Sequence, residues 1–281
     1  FPLFLFIAGV SFPYSVAKQR AGGMSEGRIY AKIVRRGLTL VVLGMVYNGL
    51  FKLDFENLRI ASVLGRIGLA WSIAAVLYLN FGVKTRAAIA VAVLAGYGAL
   101  SALVAAPDAA GAGPLTFEGN LAGYIDRQFL PGKLIYGSFD PEGLLSTVPA
   151  VVTAMLGMFT GEFVRRGDIR GGRKTLWMAA AAAALLAAGL AFSGVLPVNK
   201  KLWSSTFVCV VGAYSLGMFA LFYYLIDVRG WRRWTLFFRV VGLNSITIYL
   251  AQRIVGFGRI SDFFLGGIAS KCPEAVAAVI S

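Results

Sequence analysis

The hydrophobic residues of this chain come in blocks of roughly 17–24, the length a helix needs to cross a hydrocarbon core about 30 Å thick. That block length constrains the fold more than any other feature. In lipid every backbone N–H and C=O needs an internal partner, so a spanning segment is either a helix or a barrel strand. Barrel strands would show as alternation over about 10 residues, and the sequence has no such pattern. Composition agrees. The chain is 58% hydrophobic and 14% charged, with a mean hydropathy of +0.74, where soluble domains sit near 45–50% and 25%. The expected fold is all-α: a polytopic transmembrane helix bundle forming one domain over residues 1–281.

The blocks place spans at about Phe1–Ala17, Gly37–Phe51, Val63–Phe81, Ala87–Ala106, Leu144–Phe163, Thr175–Val195, Ser204–Ile226 and Phe237–Val255. These are eight full spans, with a partial ninth starting near Ala275. Phe1 opens inside a block, and Ser281 closes just after the apolar run Ala275–Ile280. The expectation is a chain incomplete at both ends, with an N-terminal span missing. Loop charge then sets orientation. The loops Lys18–Arg36, Gly82–Arg86, Val164–Lys174 and Asp227–Leu236, with Arg239 at their edge, carry 17 basic residues against 10 on the opposite side, 27 in all. Short basic loops face the cytoplasm. A net charge of +14 is therefore read as a topology signal rather than as a nucleic-acid interface. Gly22-Gly23 and Gly171-Gly172 are read as tight turns, and Trp71, Trp177, Trp203 and Trp231 as interfacial belts.

Ionisable groups in or beside spans are expensive and are functional candidates by default. They gather at one end. Arg59 and Arg66 stand at the outer start of the third span, two helical turns apart and so on one face. Asp140 and Glu142 precede the fifth span, where Asp140 also fits a helix cap. Asn48, Asn199, Lys200, Lys201, Gln252 and Arg253 mark the outer ends of other spans. Arg66 lies inside an apolar run and is expected to pair with Asp140 or Glu142. Asn244 and Ser245 fall mid-span, where interhelical hydrogen bonding and a ligand role are both open. The chain has no histidine and two cysteines, Cys209 and Cys272, with no metal or disulfide spacing. Phosphate-loop, dinucleotide and nucleophile-elbow motifs are absent. No internal repeat appears, which counts against an inverted-repeat transporter.

Five stretches, in order, resemble the heparan-alpha-glucosaminide N-acetyltransferase family, bacterial members included. They are Phe1-Pro2-Leu3-Phe4-Leu5-Phe6-Ile7-Ala8-Gly9-Val10-Ser11, Leu58-Arg59-Ile60-Ala61-Ser62-Val63-Leu64-Gly65-Arg66-Ile67, Asp140-Pro141-Glu142-Gly143-Leu144-Leu145-Ser146-Thr147, Leu196-Pro197-Val198-Asn199-Lys200-Lys201-Leu202-Trp203 and Gly242-Leu243-Asn244-Ser245-Ile246. The resemblance implies a transmembrane acyltransferase in a bacterial inner membrane. Such an enzyme takes acetyl from cytosolic acetyl-CoA and delivers it to an amino sugar across the membrane. It implies a catalytic histidine just upstream of Phe1, a residue type this chain lacks. Ala61 and Gly65 stand where the animal enzymes are expected to have Pro and Gln. On this reading Asn199, Lys200, Asn244, Arg59 and Arg66 contact acceptor or donor, while Asp140 and Glu142 fix the outer mouth. Acetyl-CoA is the co-substrate and no metal is expected. The partners are membrane lipid and a glycan acceptor, with no nucleic acid and with room for a homodimer. O-acylation of an envelope glycan and a transporter without chemistry are the alternatives.

Overall fold

The computed structural model describes residues 1–254, and every regular element among them is a helix. The order is α1 (Pro2–Ala21), α2 (Glu26–Tyr47), α3 (Val63–Asn80), α4 (Val83–Leu103), a short α5 (Leu121–Phe129), α6 (Leu144–Arg165), α7 (Gly171–Ala191) and α8 (Ser205–Tyr223), which continues through a π-turn to Val228. These make one compact unit, Phe1–Gly230. A second unit begins at Trp231 and contains α9 (Thr235–Leu243) and α10 (Ser245–Ile254). The ninth span expected near Ala275, together with Cys272 and the Arg253 side chain, lies outside the described residues.

Among the described residues five helices are long and apolar enough to cross a membrane: α3, α4, α6, α7 and α8 with its π-turn. This is fewer than the eight full spans expected from the sequence. α1 and α2 match the others in length, at 20 and 22 residues, but carry charge in one end. The predicted span Phe237–Val255 is interrupted at Asn244, which ends α9 after 9 residues, about 14 Å at 1.5 Å per residue and short of the about 30 Å needed to cross; α10 follows from Ser245. The block at Gly37 proves to be the second half of α2, whose first half is the basic stretch read as loop. Gly22-Gly23 does form a turn, with Gly23 at φ +72°, whereas Gly171-Gly172 opens α7.

α6 is the axis of the first unit. Ala150, Val152, Ala154, Met155 and Met158 are all buried in it, and it packs against α1, α3, α4 and α8. Its crossing with α1 is backbone on backbone. A Cβ at Gly157 would stand 2.0 Å from the Phe6 carbonyl oxygen, one at Gly161 2.2 Å from that of Val10, and one at Gly9 2.2 Å from that of Ala154. Small residues four apart allow this approach where the hydrophobic effect cannot hold helices together. α3 and α6 start at the same end. There Arg66 meets Ser146, and at the other end Arg86 meets Tyr78 and Glu162.

Candidate functional site

Arg66 is fixed by the way α3 begins. The Ser62 hydroxyl accepts the Gly65 N–H at 2.9 Å and caps the helix. Ahead of it, the Asn48 side-chain amide donates to the Arg59 and Ala61 carbonyls at 2.8 and 2.9 Å. Arg66 follows one turn in and is only 2% exposed. Its Nη2 donates to the Pro141 carbonyl and the Ser146 hydroxyl, and its guanidinium lies over the Trp203 ring, 4.9 Å from the centroid. Nε and Nη1 are buried with no hydrogen-bond partner among the described residues. Leaving a buried donor unmade costs about 1–3 kcal/mol, and more for a charged group, so two such N–H groups mark a place built for an acceptor the protein itself does not supply.

The carboxylates do not pair with Arg66, contrary to expectation. Asp140, 0% exposed, takes Arg59 instead through two hydrogen bonds: Nε donates to Oδ2 at 2.7 Å and Nη2 to Oδ1 at 2.6 Å. Glu142 bonds the same Nη2. The fork geometry explains the choice, since Arg59 presents two parallel donors to one carboxylate on the loop that runs beside it. Leu58 accepts the Lys133 N–H at 3.2 Å, and Gly132, at φ +81°, faces Arg59. Burial alone would lower the Arg59 guanidinium, but the Asp140 hydrogen bonds outweigh it and hold it above its ordinary value. Nor does Asp140 cap α6. The helix starts four residues later, and Asp140 Oδ1 accepts the Glu142 N–H at 2.9 Å in a local turn.

The cap comes from a residue the sequence reading passed over. Asp126, on α5, is 0% exposed, and its Oδ1 accepts the Leu144 N–H at 2.9 Å. It sits against Gly143, where any Cβ would meet Oδ2 at 1.9 Å. Oδ2 itself makes no hydrogen bond among the described residues. Burial pushes the carboxyl up to about 6, against the opposing pull of the Leu144 N–H, and it lies within electrostatic reach of Asp140 and Arg66. α5 is held in place by Asn120, whose side chain caps Gly123 N–H at 2.6 Å, and by Arg127, paired with Asp108 at 2.6 and 2.9 Å. Only the pattern Asn-x-x-Gly ahead of a short amphipathic stretch could have pointed to it.

Other candidates make local contacts of their own. Asn199 caps its own turn, its Oδ1 accepting the Lys201 and Leu202 N–H groups. Lys200 is exposed. Asn244 belongs to the second unit, where its side-chain amide donates to the Val240 carbonyl at 2.9 Å across the helix break. Of the tryptophans assigned to interfacial belts, Trp177 and Trp231 are exposed, but Trp71 and Trp203 are core residues. Trp71 donates to the Ala8 carbonyl at 3.1 Å, and Trp203 is wedged edge-on between Phe1 and Phe207 at a φ of +52°.

At the opposite end of α3 and α6 lies a second buried arginine. Arg86, read in the sequence as a loop charge, is 4% exposed, donates to Glu162 at 2.7 Å, and stacks on Tyr78 and Phe159. Its Nε and Nη1 also lack partners. Beside it Arg165 donates to the Pro13 carbonyl, and Lys174 to the Val164 carbonyl. Between the two arginines, α3, α4 and α6 enclose a cavity of about 400 Å³ with Arg66 and Glu142 in its wall. Among the described residues no group of acidic, cysteine or histidine side chains could hold a metal.

A heparan-alpha-glucosaminide N-acetyltransferase from Homo sapiens is 28% identical over 311 aligned positions, which cover 90% of this chain and 46% of the relative. The chain resembles the heparan-alpha-glucosaminide N-acetyltransferases. The enzyme of that name from Mus musculus is 26% identical, over 91% of this chain and 47% of its own length. The chain thus spans about half the length of the curated relatives it matches. No protein-family model matches it.

Proposed function

We propose that this chain is the catalytic bundle of an integral membrane acetyltransferase that passes acetyl from acetyl-CoA to the amino group of a sugar on the non-cytoplasmic side. On this reading α1, α2 and the α9–α10 pair also traverse the bilayer, making eight passes with the Arg66 end outside. The observation that carries the proposal is Arg66. It is a buried, charged residue with two unpartnered N–H groups, in a chain similar along nine-tenths of its length to N-acetyltransferases.

The chemistry fits what Arg66 and Asp126 offer. As the amine attacks a thioester carbonyl, charge gathers on the carbonyl oxygen; the C–N bond forms, the C–S bond breaks, and the proton the amine loses ends on the departing thiolate, which leaves as the free thiol of CoA. Donors fixed in a dry site stabilise that charge far better than water does, and the Nε and Nη1 of Arg66 are of that kind. The free Oδ2 of Asp126 accepts a hydrogen bond from the acceptor amine, and its shifted carboxyl stays ionised at neutral pH. The Arg59–Asp140–Glu142 cluster ties the segment before α3, which leads into Arg66, to the loop before α6, whose start Asp126 caps. The chain's basic residues suit the phosphates of the donor. A test is acetyl-CoA-dependent labelling of glucosamine-terminated glycans in membranes of cells expressing the complete reading frame. Labelling lost in Arg66→Gln supports the proposal. No labelling of any amino sugar, or labelling unchanged in Arg66→Gln, overturns it.

A further inference from the structure

The cavity beneath Arg66 has a shape and lining that the transfer chemistry leaves unused. Arg66, Leu69, Ile73 and Leu77 follow one another down the face of α3 that borders it. Eleven residues at 1.5 Å each make a groove about 17 Å long. Val93 of α4 and Met155 of α6 complete the lower walls. Polar groups occur only at the top, where Ser62, Arg66, Glu142 and Thr147 meet. Leu69 and Ile73 are nearly half exposed, so the groove opens sideways to whatever surrounds the helices. Since α3, α4 and α6 are three of the helices long and apolar enough to cross a membrane, that surrounding is lipid.

We infer that the groove holds the hydrocarbon tail of the acceptor, so that the sugar acetylated is the head group of a membrane glycolipid. This rests on the acetyltransferase reading and names its substrate class. The length matches an extended chain of about one leaflet, and the wall supplies only apolar contact, which is what a tail needs. A pantetheine arm would bring two amides into a wall with no partners for them below Thr147, at a cost of a few kcal/mol for each unmade bond. At the top the groups complement a sugar rather than a phosphate. Ser62, Thr147 and Glu142 can meet hydroxyl groups there, Glu142 would repel an anion, and the donors of Arg66 stay with the reacting carbonyl.

The test compares methyl, octyl and dodecyl β-glucosaminides as acceptors with the wild-type protein in lipid nanodiscs. KM is expected to fall at least tenfold from methyl to dodecyl. Partition into the bilayer would produce part of that gain without a groove, so the same series is run on Ile73→Trp and Val148→Trp, whose rings fill it. The groove predicts that the chain-length gain collapses in both, and native mass spectrometry should show one dodecyl glucosaminide retained by the wild-type protein and not by the variants. Equal KM across the series, or a gain that survives both substitutions, overturns the inference. So does a bound phospholipid that dodecyl glucosaminide fails to displace. Retention of the glycolipid without transfer to any acceptor would leave the groove standing and sink the acetyltransferase reading instead.

Discussion

Arg66 and Asp126 are two buried charges with complementary unmade bonds, donors on one and an acceptor on the other. Arg66→Lys keeps the charge but loses the planar fork and the stacking on Trp203. Its kcat/KM should drop about 100- to 1,000-fold, the usual loss on removing an oxyanion donor, with the thermal midpoint in detergent moving little. Asp126 predicts a pH effect. Its folded pKa, about 6, lies above the ordinary value of 3.8. The folded protein therefore binds more protons between those values, and stability declines as pH rises through that window and is level above about 6. The ionised carboxylate that accepts from the amine is lost as pH falls below about 6, so activity should carry an acid limb there. Asp126→Asn should flatten both the stability slope and the acid limb, as read by detergent thermal melts and a kcat/KM pH profile.

Among the elements, two junctions hold the bundle in register. The α1–α6 crossing has no room for a side chain, so Gly157→Ala pushes a methyl into the Phe6 carbonyl at 2.0 Å. A loss of about 1–3 kcal/mol, the ordinary cost of overpacking, should appear as a lower melting temperature. Gly167→Ala, with nothing within 4 Å, should leave it unchanged. The second junction ties the segment before α3 to the loop before α6 through Arg59. Arg59→Ala leaves Asp140 charged and buried, which costs about 3–5 kcal/mol. Adding Asp140→Asn to it should recover part of the loss, and a double-mutant cycle on thermal stability measures the coupling. The break at Asn244 is also an element-level fact. Hydropathy reads Phe237–Val255 as one block because it registers apolarity and not the backbone turn.

For the whole molecule, the charge bias and the bundle make one joint prediction about sidedness. Glu118 and Asp168 are both exposed and lie in loops at opposite ends of the first unit. With Cys209 and Cys272 replaced by serine, a cysteine at Glu118 should react with a membrane-impermeant maleimide on intact cells. One at Asp168 should react only after lysis. The opposite pattern would invert the orientation and put the Arg66 end in the cytoplasm. The same experiment assigns the Arg66 and Arg86 ends to their sides of the membrane.

The helical class, the position of α3, α6 and α8 within a few residues, and the choice of Arg59, Arg66, Asp140 and Glu142 as residues worth explaining were all legible in the chain. Each depends on local apolarity, or on the cost of a charge in an apolar run, and both are written along the sequence. Which charges pair was not legible, because pairing depends on side-chain geometry across some 80 positions: Arg59 reached Asp140 first and left Arg66 its free donors. Asp126 was hidden for the same reason, a loop acid whose burial is created by α5 folding over the start of α6. The groove exists only where α3, α4 and α6 fail to fill the space between them, and no stretch of sequence read by itself records a space between helices.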